Sequence, residues 1–342
     1  MGPCPAIVPC PVVCPSPPSA PDYIMSAVVE LCVAVLLVDA AFSGHKRGAW
    51  RWVSTLLGGI IFGWSLEWAN TNHGGAGAAY CYPPAPFPFN LGGVPLWVPI
   101  GWGGIIYAAT WTAKHLQLNV VARAAAAAFL VASIDFSLDP VAKLLGFWVW
   151  ECDNVNFFGV PYDNFDGWYL IVFVYALTAS LLLGCTRHLW DKKKAGASYQ
   201  PWLGVLVQLA APVACAIVAI LVLLLAKSAV PAITKLITTV LVALFHHPPD
   251  PSAPSAVLFV LLTAAGAGTL LFSKPRPRDP VAPNWPIIAV PVVIHVASYW
   301  LFLQYAGMAA EPSLVATIPL QLLAGIFVYT LPWRRRRLLA VP

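Results

Sequence analysis

The sequence predicts an all-α, polytopic transmembrane helical bundle of about nine spans, and three observations carry that prediction. The chain of 342 residues is 59% hydrophobic. Only 10% of it is charged, against about a quarter in soluble globular chains. Its apolar residues stand in long runs such as Ile217–Ala226 and Ala256–Phe272, which lack the alternation of a barrel strand. A soluble fold cannot hide so much apolar surface, because polar residues must cover its outside. Lipid removes that demand and leaves helices or closed barrels as the spanning structures. The unbroken runs select helices.

A span takes about 20 mostly apolar residues. In chain order such windows fall near 23–42, 50–68, 94–113, 120–141, 167–186, 202–226, 254–273, 286–306 and 313–332. The first window holds Glu30, with no partner nearby in sequence, and Asp39 near its inner edge. The second carries Glu67 at its outer end, and the fourth carries Asp135 and Asp139. A further apolar stretch, Ala229–Phe245, contains Lys235 and is bounded by Pro231 and Pro248, so it reads as a re-entrant or interfacial helix. The chain then divides into a Pro/Cys-rich N-terminus (1–21), a transmembrane core (22–190) and C-terminal helices of unassigned role (191–342).

Orientation follows from basic loops, which stay cytoplasmic. His45–Arg51, Lys114–Arg123, Arg187–Lys194, Lys274–Arg278 and Arg334–Arg337 all fall on one side of a nine-span chain. The N-terminus is then outside and the C-terminus cytoplasmic. The four terminal arginines read as a topology anchor for anionic lipid headgroups, with no nucleic-acid site implied. Residues 1–21 lack the basic start and apolar core of a signal peptide, and their proline density predicts disorder. Cys4, Cys10 and Cys14 have no metal-ligand spacing. Cys81 and Cys152 share the outer side, which permits a disulfide, while Cys32, Cys185 and Cys215 read as packing residues. No phosphate loop, dinucleotide motif or zinc-protease motif occurs, so neither a cofactor nor a metal is expected.

The same loop count gathers chemistry at the outer face. Glu67, Asp135 and Asp139 end two spans there, and Glu151, Asp153, Asp163 and Asp166 follow in the next loop. Asp135 and Asp139 are four residues apart, so a helix presents them on one side. A charged aspartate at mid-bilayer costs about 2.5–3.5 kcal/mol, so three such groups approach roughly 10 kcal/mol before depth and water access reduce it. They hold that position at low cost only if protonated, hydrogen-bonded or lining a wet cavity. Asp153, Asp163 and Asp166 read as loop caps and interfacial anchors. Glu67, Asp135 and Asp139 are the catalytic candidates, because intramembrane acids are functional by default. Trp64, Trp68, Tyr80, Tyr82, Trp97, Trp148, Trp150, Phe157, Phe158, Tyr162, Phe165 and Trp168 crowd the same face. An aromatic belt at headgroup level accounts for some of them, and tryptophan faces also stabilise a cation. The uncharged loop Asn70–Asn90 reads as a lid or a connection, and His73 as a satisfied polar residue.

Three motifs in order carry a resemblance. Glu67 is followed by Tyr80-Cys81-Tyr82 and by Gly93–Trp97 with Pro99 and Trp102; then come IDFSLDP (134–140), GFWVW (146–150) and FFGVPYDNFDGW (157–168). This succession resembles the CruF-like carotenoid hydratases over roughly residues 64–168. The segment after Glu67 departs from that family in lacking Pro-Phe-Gly, and the half after Leu203 shows no matching motif. The resemblance implies addition of water across the terminal C1=C2 bond of an acyclic isoprenoid drawn from the bilayer, without a redox cofactor. It implies Asp135 or Asp139 as proton donor and Glu67 as partner or water-orienting base. Asn164 would hold the water, and Trp64, Trp68, Tyr80, Trp102, Trp148, Trp150 and Trp168 would line the hydrophobic tunnel. Three other readings stay open: a terpene or meroterpenoid cyclase started by the same protonation, a lipid-binding or transport protein, and a metal-dependent prenyl transferase using Asp135 and Asp139.

Single cysteines placed in Lys274–Arg278 and in Arg334–Arg337 should label from the same, cytoplasmic side of intact cells. Labelling from opposite sides would break the nine-span count.

Overall fold

Each predicted window falls mainly on one helix of the computed structural model, although 94–113 begins in a short strand and 286–306 ends in a π-helical turn; the structure describes residues 20–47, 50–73, 80–82, 90–150, 157–194, 201–246, 252–273, 284–307 and 312–339. The helices are α1 (Ala20–Arg47), α2 (Trp50–His73), α3 (Trp97–Lys114), α4 (Val120–Leu145) and α5 (Tyr162–Lys194). They continue with α6 (Pro201–Phe245), α7 (Ala253–Phe272), α8 (Trp285–Leu301), a π-helical turn (Phe302–Ala306) and α9 (Pro312–Leu339). Seven helical stretches are long and apolar enough to cross a bilayer, and the chain is an integral, multi-pass membrane protein. α2 and α3 are outside those seven. α2 carries Arg51, Glu67 and Asn70, while α3 is rich in glycine and tryptophan and buried along nearly its whole length. Protein contacts from α1, α2, α4 and α8, rather than lipid, hold α3 in place.

Glycines make the closest of those contacts. A Cβ on Gly103 would stand 2.7 Å from the Leu56 carbonyl oxygen, and one on Gly63 would stand 2.5 Å from Trp102 Cβ. α2 and α3 therefore approach backbone to backbone, as small residues allow between membrane helices. α4 is the hub of the remaining helices, packing on α3, α5, α7, α8 and α9. Its alanines Ala124, Ala126, Ala127 and Ala128 are buried and permit that crowding. Asn119 caps its start by accepting from the Ala122 N–H at 2.8 Å. Gly146, with φ 73°, ends it in the left-handed conformation that glycine adopts without strain.

Short strands tie the loops at one end. β1 (Tyr80–Cys81) pairs antiparallel with β4 (Val149–Trp150), Tyr80 opposite Trp150. β2 (Asn90–Leu91) and β3 (Val94–Pro95) form a hairpin whose turn, Gly92-Gly93, has φ of 64° and 86°. Positive φ at both turn residues suits the strand twist of a two-residue hairpin. At the opposite end Arg51 and Lys114 stand over the Trp52 ring, 5.4 and 4.8 Å from its centroid. Asp39 there accepts from Tyr107 and Asn284, joining α1, α3 and the start of α8. One continuous core contains Trp102 and Ala127 together with Leu223, Ile294 and Tyr329, so the C-terminal helices share it with the predicted core segment.

Four boundaries differ from the sequence reading. Ala20 and Pro21 belong to α1, where proline is tolerated because the first turn needs no N–H donor. Asn70–His73 complete α2 instead of opening a loop. α5 starts at Tyr162 rather than near 167, so Asp163, Asn164 and Asp166 are helical. No break separates 202–226 from 229–245: α6 is one helix of 45 residues, with Pro212 and Pro231 inside it. At 1.5 Å per residue it is about 67 Å long, roughly twice the hydrocarbon thickness. The segment 1–19, Glu151, Cys152, Asp153 and the basic segment 274–278 lie outside the described residues, as do the side chains of His73, Cys81 and Arg334–Arg337.

Candidate active site

Glu67 sits one and a half turns before the end of α2, and it is buried. A buried carboxylate is costly unless its oxygens accept hydrogen bonds. Three donors meet Glu67: Tyr80 and Tyr82 hydroxyls at Oε2, the latter at 2.8 Å, and Trp102 Nε1 at Oε1 at 2.7 Å. Tyr80 and Tyr82 are two residues apart in an extended segment, so both side chains point the same way. The pairing of β1 with β4 holds that segment over the end of α2. Burial first, and then the Glu67 charge, push both phenols well above their usual range. They therefore remain donors at all ordinary pH values.

Asp135 and Asp139 come from the last turns of α4 and are fully buried. Both Oδ2 atoms accept from one amide, Asn164 Nδ2 on α5, at 3.2 Å for Asp135 and as a short contact for Asp139. The Oδ1 atom of each aspartate has no partner among the described residues. Ser137, between them in sequence, projects from another side of α4 and hydrogen-bonds His295 Nδ1 on α8. Two carboxyl groups on one amide repel when both are charged, and a shared proton relieves that repulsion.

One cavity of about 70 Å³ connects the two carboxyl systems. Glu67 faces it from α2, and Asp139 and Asn164 from α4 and α5. Its walls are aromatic: Trp97, Trp102, Trp148 and Trp168 join Tyr80 and Tyr82. Trp102 and Trp168 have ring centroids 4.3 Å apart, and Trp97 stacks near Trp148 at 6.5 Å. Val29 on α1 and Ile294 on α8 join aliphatic residues of α3 and α4 in the rest of the lining. The space admits a few water molecules or the end of a hydrocarbon chain.

The structure thus brings together Glu67, Asp139, Asn164, Tyr80, Trp102, Trp148 and Trp168, with Asp135 one hydrogen bond behind. Trp64 and Trp68 stand elsewhere. Trp64 Nε1 donates to the Leu91 carbonyl, and Trp68 packs on Gly92, so both support the β2–β3 hairpin. The side chain of Trp150 lies outside the described residues. Tyr82 and Trp97 belong to the lining although the sequence reading left them among the general aromatics. The i, i+2 spacing of Tyr80 and Tyr82 was the available signal. Val29, Ile294 and His295 gave none, because a single apolar residue or histidine on a long helix has no local pattern.

The carotenoid biosynthesis protein family matches residues 24–242, more than half of the chain, and the chain belongs to that family. It is also similar to a bisanhydrobacterioruberin hydratase of Haloarcula japonica, at 28% identity over 114 residues. That alignment covers 32% of this chain and 38% of the hydratase. No solved structure matches the chain.

Replacing Tyr80 or Tyr82 with phenylalanine should each destabilise the protein by about 1.5–3 kcal/mol, the range for hydrogen bonds to charged groups. Thermal unfolding in detergent measures this, and an unchanged midpoint for both variants would mean that Glu67 does not depend on them.

Proposed function

We propose that this member of the carotenoid biosynthesis protein family adds water to the terminal double bond of an acyclic carotenoid or related isoprenoid. The observation that carries the reading is the meeting of two differently bonded carboxyl systems on one tryptophan-walled cavity. Glu67 accepts three hydrogen bonds, whereas Asp135 and Asp139 share a single donor. The first arrangement suits a base, and the second suits a pair that holds a proton.

The steps balance without an oxidant or reductant. The proton held by the aspartate pair, with Asp139 facing the cavity, passes to C2 as the alkene electrons form the new C–H bond. The tertiary cation that remains at C1 lies against the indole faces, worth about 2 kcal/mol or more where water is excluded. A water beside Glu67 attacks C1, and its released proton goes to Glu67, from which a second water returns it to the aspartates. The sum is alkene plus water giving a tertiary alcohol. The small cavity fits this use, since only the chain end needs to enter. Similarity to a hydratase supports capture of the cation by water over capture by another double bond.

Expression in a host that makes lycopene should yield products heavier by one water for each modified end. A product of unchanged mass with a new ring would instead support the cyclase alternative. Asp135→Asn and Asp139→Asn should leave the protein folded while at least one lowers turnover about 10²–10⁴-fold, the usual loss for a positioned acid. Asp153→Asn should be mild. Turnover should persist in excess chelator; loss of activity restored by Mg²⁺ would favour diphosphate chemistry.

A further inference from the structure

The first two turns of α5 divide two cavities. Asn164 and Trp168 face the site described above. Asp163, Asp166, Gly167 and Leu170, at the i, i+3, i+4 and i+7 positions of another stripe, face a second cavity of about 730 Å³. α6 supplies Lys227 and Lys235 to it, and α7 supplies Leu258 and Leu262. The cavity therefore has carboxyl groups on the α5 wall, ammonium groups on the α6 wall and leucines on the α7 wall.

Asp166 and Lys227 are half-buried and Asp163 and Lys235 exposed around this cavity, and an aliphatic or polyene occupant offers these four side chains nothing. Charge in such a setting is costly unless matched. Asp166 is half-buried, and its Oδ1 atom has no hydrogen-bond partner among the described residues. An occupant that satisfies both walls must carry both charges and an apolar body.

We propose that this cavity binds one zwitterionic phospholipid, with the phosphate at Lys227 and Lys235, the ammonium group at Asp163 and Asp166, and the acyl chains along the leucine wall. The donor and acceptor pattern selects a phosphoethanolamine headgroup over an anionic one, because an anionic lipid offers Asp163 and Asp166 no ammonium hydrogens to accept. The site is distinct from the aromatic cavity and holds whether or not the hydratase reading does.

The full-length protein, purified in neutral detergent, would be exposed to mixed micelles with equal amounts of phosphatidylethanolamine, phosphatidylglycerol and diacylglycerol. Native mass spectrometry then reads the lipid retained. One phosphatidylethanolamine should be kept in preference to the others. The double variant Asp163→Asn, Asp166→Asn should lose that preference by about tenfold, the equivalent of one charge-assisted hydrogen bond. Lys227→Met with Lys235→Met should release both phospholipids. Gly167→Leu should exclude all three lipids, since a Cβ there meets nothing within 4 Å and the added side chain enters the cavity. That variant, with the asparagine pair, decides the matter if the methionine pair fails to fold. Retention of phosphatidylglycerol equal to phosphatidylethanolamine in the unaltered protein, absence of any retained lipid, or indifference to the Asp163 and Asp166 changes would overturn the proposal.

Discussion

A carboxyl group placed among hydrocarbon must find hydrogen-bond donors, and Glu67 finds three from two separate parts of the chain. This one demand organises much of the site. Trp102 can reach Glu67 only because α2 and α3 approach across Gly59, Gly63 and Gly103. Tyr80 and Tyr82 can reach it only because the segment after α2 pairs with the segment after α4. Meeting the donors of Glu67 thus places the loop aromatics above the cavity and draws α3 into the protein interior, where nearly its whole length is buried.

The aspartate pair obeys the same rule with fewer donors. One amide serves two carboxyl groups, and one oxygen of each has no partner among the described residues. That shortage is useful to an acid: a proton between the two groups removes the repulsion and remains available to the cavity. Tryptophan on the facing walls offers a place for the positive charge that proton transfer creates. Helices α8 and α9 support the arrangement from behind, through Ser137 with His295 and through Tyr329, which donates to the Leu130 carbonyl.

The helical class and the centre of most helices were legible because apolar runs of span length have few alternative fates. Glu67, Asp135 and Asp139 were legible because charge is rare in such runs, and loop counting put them at one end. The roles of Trp64 and Trp68 were not. Residues at i and i+4 on α2 share a side, but the pattern does not say whether that side meets a cavity or a hairpin. The start of α5 was missed because Asp163 and Asp166 lower the apolar score of a turn that is helical. The continuity of α6 was missed because Pro231 and Lys235 resemble a break, although a long helix tolerates proline at the cost of one hydrogen bond. Lys235 becomes intelligible, with Lys227, beside the cavity that α6 shares with α5.

The central claim is that a carboxyl proton and a water molecule are both delivered to one alkene within the Glu67–Asp139 cavity. Turnover of an acyclic carotenoid in deuterated water enriched in heavy oxygen tests it directly. The product should carry one deuterium at C2 and the heavy oxygen at C1 of each modified end. Deuterium without heavy oxygen would mean that the cation is closed by another group, and neither label would contradict proton-initiated hydration at this site.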